Sequence, residues 1–315
     1  VMRSGARWLT LVSLGWALAR WRRLRPRSLL DNAPLEKLLA KMVPLMRLPR
    51  LIQKGHLTAL AVTASSYSSG EHVTFYESAQ AVQPWVRSQR KAARDHITHE
   101  HLLASSAIPF VFPAKGITID GHTEYFGDGS MRQSAPIAAA IHLGAERVLV
   151  IGAGRMHEPR GDSTAPPSPS YPSLAQIAGH ALSNIFLDAL SVDVERVQRI
   201  NQTLSLIPEE KRTHSALRPV ELLVIAPSQR LDAIAARHVG DLPGPVRTML
   251  GALGVTSNMA DVRGAALASY LLFEQGYTQE LMALGRADTL ARRADVCRFF
   301  GWKDTGAALR TRLPA

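Results

Sequence analysis

HEHLLASSAIPFVFPAKGITIDGHTEYFGDGSMRQSAPIAAAIHLGAERVLVIGAG, residues 99–154, decides how the rest of the chain is read. It joins a helix-like opening, turns rich in Gly and Pro, an Asp-Gly hairpin at Asp120-Gly121 and a second Asp-Gly at Asp128-Gly129. An apolar helix and the buried strand Val148-Leu149-Val150-Ile151 follow. One ionisable group in it sits where a reactive group is expected. Asp128 lies between Gly127 and Gly129, after the strand-like Glu124-Tyr125-Phe126. Flanking glycines let the backbone take φ > 0 and let another chain or a substrate approach closely. An ordinary Asp-Gly turn explains the same three residues, so the surrounding sequence has to decide.

On the N-terminal side, Asp31-Asn32 before Pro34 cap a helix carried by Leu35, Leu38, Leu39 and Met42. Gly55 ends a second helical piece. Residues 57–64 and 72–76 then form two strands around the turn SSYSSGE, a hairpin-like unit. Residues 83–107 are expected to be mostly helical. On the C-terminal side, residues 158–173 form a Pro/Ser-rich loop, and a long helical region covers 174–203. Val220–Ala226, bounded by Pro219 and Pro227, is a buried strand of the parallel type. Helices are expected over 247–253, 260–275 and 279–300, with Gly276 and Gly301 as C-terminal stops. Strands at 57–64, 72–76, 108–119, 148–152 and 220–226, separated by helices, imply a layered α/β fold.

Hydrophobic content of 46% with 20% charged residues suits a globular chain with a sizeable core. Cys297 is the single cysteine, which excludes a disulfide framework and a cysteine metal site and fits a reducing compartment. Of the net +11, residues 1–54 carry twelve Lys/Arg against Asp31 and Glu36, or +10, so the remaining body is near neutral at +1. Such a basic segment suits an anionic lipid surface or an ordinary solvated face. Within it, WLTLVSLGWALA at 8–19 is too short to span a bilayer. Ala17-Leu18-Ala19 imitates a signal cleavage site, but the arginines that follow argue against export, which stays the minor alternative.

Several chemistries are excluded. His96, His99 and His101 with Glu100 do not share one helix face, so no metal site is expected. Gly152-Ala153-Gly154 lacks a third glycine, since His157 stands there, and a Pro-rich loop follows rather than a helix, so no dinucleotide site is expected. Arg160-Gly161-Asp162 is taken as coincidence. No helix-turn-helix or RNA-binding signature accompanies the basic segment, so no nucleic-acid partner is expected. No serine carries the Gly-x-Ser-x-Gly of a nucleophile elbow: Ser65, Ser66, Ser68 and Ser69 follow a strand and Ser105 and Ser106 a helical piece, all without the flanking glycines.

The chain resembles the patatin-like phospholipase family. The resemblance is carried by Ser28–Leu35 (SLLDNAPL), Ala61-Val62-Thr63-Ala64 with Ser69-Gly70-Glu71, and Ala104–Pro109 with Phe112-Pro113. Gly127-Asp128-Gly129, Leu143-Gly144-Ala145 and Val148–Ile151 continue it, and Tyr270–Glu274 is similar to the helical tail of bacterial members. It implies a layered α/β/α sheet, truncated at its N-terminal side, with a helical C-terminal extension. The expected parts are a basic segment 1–27, an α/β domain 28–157, the loop 158–173 and a mainly helical part 174–315 with its strand at 220–226. The resemblance also implies hydrolysis of lipid acyl esters by a serine–aspartate dyad without a cofactor, Asp128 being the general base and Gly127 and Gly129 shaping its turn. Ser130 departs from the family, which more often has Gly or Ala there. The serine elbow and the Gly-rich oxyanion loop are absent, so a C-terminal portion that is inactive alone is expected. The competing expectation is a non-catalytic protein that binds an anionic membrane surface through residues 1–54. The compartment expected on either reading is cytoplasmic or the inner membrane face.

Overall fold

The computed structural model describes residues 28–304 apart from 29, 132, 134, 155, 157–173, 213–216, 253–254 and 256–261. The expectations for the basic segment 1–27, for His157, for the loop 158–173 and for its Arg-Gly-Asp triplet lie outside the described residues. The chain divides into two compact units, residues 1–132 and 133–315.

The first unit is built on a six-stranded mixed sheet. Its strands are β1 (Ala59–Ser66), β2 (His72–Ser78), β3 (Val86–Arg87), β4 (Arg90–Arg94), β5 (Lys115–Ile119) and β6 (His122–Asp128), in the order β3-β4-β2-β1-β6-β5. Only β2 and β4 pair in parallel; the other neighbours are antiparallel. Alternation along the strands sends Val62, Ala64, Val73, Phe75, Ile117 and Phe126 to one face. Against this face pack Leu48 and Ile52 of helix α2 (Leu48–Gln53) and Ala104 of helix α3 (His99–Ser105). Burying a side chain of this size contributes about 1.5–3 kcal/mol. On the other face the hydroxyls of Thr63 and Thr74 meet at 3.2 Å, and Tyr76 stacks on Trp85 and donates to the Val82 carbonyl.

Helix α1 (Ala33–Met42) starts as its cap residues require. Asp31 Oδ1 accepts the Ala33 N–H at 3.0 Å, and Pro34 occupies the first turn. The preceding Leu30 N–H donates to the Val111 carbonyl, which ties residues 28–35 to the turn at 108–112.

Two expectations for this unit fail. The helix over 83–107 is confined to 99–105, because Gln89 takes a left-handed turn (φ 58) and Arg-Lys-Ala-Ala-Arg is drawn out beside β2 as β4. A ladder of five residue pairs outweighs the intrinsic helix preference of those residues. The strand expected over 108–119 begins only at Lys115. Pro109 and Pro113 lack donors, Phe110 is left-handed (φ 66), and the segment closes as turns onto Ile108. The three histidines therefore part company. His96 is exposed, His99 binds the Val43 carbonyl, and His101 is buried edge-on against Phe75.

In the second unit, helix α4 (Ala138–His142) precedes β7 (Arg147–Ile151), which pairs in parallel with β8 (Glu221–Ile225). Between the two strands run helix α5 (Leu174–Ser205) and a short helix α6 (Glu209–Arg212). Strand β7 has its backbone pairing with β8. Val148, Val194, Val197 and Val220 form a core with Ile137, whose N–H donates to the buried Asp193.

Helices α7 (Leu231–His238), α8 (Gly244–Ala252), α9 (Val262–Ser269), α10 (Gln275–Ala291) and α11 (Arg293–Phe300) complete the unit. Gly301 is the left-handed stop of α11 (φ 67), as expected. Gly276 is not a stop. It lies in the first turn of α10, where a Cβ would come within 3.2 Å of the His238 ring.

That ring bridges α7 to α10. Its Nδ1 lies 2.8 Å from Asp241 and its Nε2 2.8 Å from Glu280, which Arg237 also holds. Two carboxylates facing both nitrogens favour the imidazolium and raise its pKa above the usual 6.5. Its stabilising contribution is fully present below 6.5 and is lost as pH rises through the higher folded value. Melting temperature is therefore expected to fall over that window in the parent and to flatten in His238→Gln. The site is near the surface, so the effect is below about 1 kcal/mol.

Candidate functional site

Asp128 closes β6 at the point where that strand leaves its partner. Ala64 of β1 stands opposite it, and the Asp128 N–H donates to the Ala107 carbonyl at 2.9 Å. The Gly129 N–H donates to the Ser105 carbonyl at 3.2 Å, so the end of α3 braces the turn. The residue is thereby fixed at only 9% exposure.

Its flanking glycines serve a purpose other than positive φ, which neither adopts. A Cβ on Gly129 would sit 1.9 Å from the Thr63 carbonyl oxygen, so β1 passes directly against the turn. A Cβ on Gly127 would sit 2.3 Å from the Tyr67 hydroxyl oxygen, because the phenol lies across that residue. Close approach, the second reason that glycine suits such a turn, is the operative one.

The two carboxylate oxygens are treated differently. Oδ1 accepts the Ser130 N–H at 2.8 Å and also the Ser130 hydroxyl, an Asx-type turn. Oδ2 accepts no hydrogen bond from a described residue. Burial raises the Asp128 pKa, and the two Ser130 bonds and the nearby His72 offset part of that rise. The net shift is upward from the usual 3.8, the direction that makes a carboxylate a better base. Ser130→Ala removes one of the offsetting bonds, a charge-assisted contact worth about 1.5–3 kcal/mol. Its expected outcome is a further upward move of the Asp128 titration, followed by carboxyl NMR; an unchanged titration would show that the backbone N–H alone sets it.

Two neighbours are supplied from far away in sequence. Tyr67, on the turn after β1, places its hydroxyl 3.9 Å from Met131 Sδ, and burial together with the Asp128 charge raises its pKa. His72, buried at the start of β2, hydrogen-bonds through Nε2 to the Met131 carbonyl, which pins the residue that follows Ser130. A carbonyl only accepts, so this bond requires the proton on Nε2. Neither residue carries a local motif. Their roles come from the β1–β6 pairing, which no spacing along the chain reveals.

Of the serines considered from sequence, Ser66, Ser68, Ser69 and Ser106 have structural employment. Ser66 Oγ donates to Glu124 at 2.6 Å and accepts the Ser68 and Ser69 N–H groups at 3.1 and 3.0 Å. Lys91 reaches the same Glu124 at 3.8 Å and Glu71 at 3.0 Å, closing a network across the hairpin. Ser106 Oγ is turned back to the Leu102 carbonyl. Among the described residues no group of His, Cys, Asp and Glu is placed to hold a metal ion, and no helix is long and apolar enough to cross a membrane.

Residues 5–141 match the family model described as patatin-like phospholipase. Those residues are similar to patatin-like phospholipases, a family of lipid acyl hydrolases, and the chain shows an α/β fold with a six-stranded mixed sheet and a helical C-terminal part. The match takes in the Gly127-Asp128-Gly129 turn and most of the basic segment, beginning well before residue 28. It stops before Leu143-Gly144-Ala145, Val148–Ile151 and Tyr270–Glu274, so the likeness drawn from those three pieces lies outside it. No curated protein and no solved structure matches the chain.

Proposed function

We propose that the first unit carries the aspartate half of a lipid acyl ester hydrolase site, with Asp128 as the general base towards a serine hydroxyl. The observation that carries this reading is the asymmetry of the carboxylate. Oδ1 is locked by Ser130, while Oδ2 is left open in a buried setting that raises the pKa. A hydroxyl donating to Oδ2 loses its proton to Asp128 as its oxygen attacks the ester carbonyl. The protonated aspartate then returns the proton to the departing alcohol. Tyr67 and Met131 form the wall beside this carboxylate.

The serine belongs to a Gly-x-Ser-x-Gly elbow that residues 1–315 do not contain. The 315-residue chain is therefore expected to leave a p-nitrophenyl acyl ester intact. Joined to a patatin-like segment that bears the elbow and its oxyanion loop, it is expected to hydrolyse that ester. Hydrolysis by the 315-residue chain alone, abolished by Asp128→Ala, would overturn the division of the dyad.

A further inference from the structure

One face of α1 and α2 is turned away from the sheet and is unlike the rest of the first unit. In α2, Leu48 and Ile52, one helical turn apart, enter the core, which leaves Arg47, Leu51 and Lys54 on the outer side. Arg47, Arg50, Leu51, Lys54 and His56 line a cavity of about 360 Å³. Among the described residues no carboxylate lines this cavity. Arg47, Arg50 and Lys54 form no ion pair and no side-chain hydrogen bond with a described residue. Apolar side chains on the same segment are uncovered by any described residue: Met46 is 95% exposed and Met42 68%, and Leu51 is exposed within the cavity wall.

Uncompensated cations around a concavity call for an anion with several acceptor oxygens. The neighbouring thioether and isobutyl groups call for an apolar phase in the same place. A nucleic acid satisfies the first demand only, and among the described residues no Phe, Tyr or Trp lines the cavity as a stacking platform for bases. A phospholipid surface satisfies both. We propose that this face docks the protein on an anionic phospholipid surface, with a lipid phosphate seated among Arg47, Arg50 and Lys54 while Met42, Met46 and Leu51 enter the acyl boundary. The concentration of charge agrees: residues 1–54 hold +10 of the net +11. The inference deepens the acyl hydrolase reading by saying how the site meets its substrate. It is measured without turnover, so either can fail without the other.

The experiment is co-sedimentation of the full chain with vesicles of phosphatidylcholine alone and of phosphatidylcholine mixed with phosphatidylglycerol in equal parts. Binding to the mixed vesicles alone is expected, weakening as sodium chloride is added. Each cation near an anionic surface is worth about fivefold in affinity, so Arg47→Gln/Arg50→Gln/Lys54→Gln is expected to lose about a hundredfold. All three side chains are exposed, so the fold is expected to persist, with circular dichroism as the check. A second readout is positive rather than a loss. A polarity-sensitive dye on Met46→Cys, in a Cys297→Ser background, is expected to shift to the blue with mixed vesicles and not with neutral ones. Affinity within twofold of the parent in the triple variant, or no dye shift, would overturn the proposal. So would release from vesicles by inorganic phosphate at an ionic strength where sodium chloride releases nothing, since that marks a site for free phosphate.

Discussion

Gly129→Ala is expected to unfold the first unit or to cost more than about 4 kcal/mol, the range reserved for a named steric or packing fault. The added Cβ falls 1.9 Å from the Thr63 carbonyl oxygen, 2.6 Å from its carbon and 3.2 Å from the Ala64 nitrogen. All three are backbone atoms of β1, the strand in the middle of the sheet, so no rotamer change relieves the overlap. Either β1 withdraws from β6, breaking the pairing of Ala64 with Asp128, or the turn shifts and the carboxylate leaves its place. Denaturant unfolding decides it; a loss below about 1 kcal/mol would mean that the turn yields cheaply. Gly127→Ala is the informative contrast. There the obstacle is the half-exposed Tyr67 ring, which can swing aside, and Tyr67→Ala is expected to rescue it.

Asp128→Asn is expected to move activity and stability in opposite directions. Once the site is completed with its serine, replacing the base by an amide is expected to lower turnover by ~10⁴, the scale seen when the carboxylate of a catalytic triad is lost. Stability runs the other way. The folded pKa lies above 3.8 mainly because of burial, so the ionised group opposes folding. The contribution of the protonated form is present below 3.8 and is lost as pH rises through the folded value. An amide never ionises, keeps an acceptor for Ser130, and is expected to be more stable than the parent at neutral pH while matching it in acid. An unchanged stability across that window would show that the carboxylate is as well solvated folded as unfolded.

Much of the fold and part of the candidate site are legible along the chain because they are made of local contrasts. The hairpin of β1 and β2, the cap ahead of α1, the stop at Gly301 and the aspartate between two glycines each rest on neighbouring residues. What escapes is non-local. Arg90–Arg94 has a helical composition and becomes a strand because β2 offers it a partner. Gly276 resembles a helix stop and is instead the gap that admits His238. Gly127 and Gly129 suggest positive φ, while their actual constraint is set by Tyr67 and Thr63, some sixty residues earlier. Ser130, a departure from the family pattern, turns out to hold one oxygen of the carboxylate.

The pairing of β1 with β6 has a kinetic side. The hairpins β1–β2 and β5–β6 close over short loops, the latter through the left-handed pair Asp120-Gly121. Ala64 and Asp128, by contrast, must meet across 64 steps of chain, a closure costing about 2 kcal/mol more in chain entropy. The two hairpins are therefore expected to form early and the seam between them last. Substitutions at the seam, Gly127→Ala among them, should hasten unfolding far more than they slow folding. The carboxylate would then be assembled at the final step of folding and be the first part of the unit to come apart.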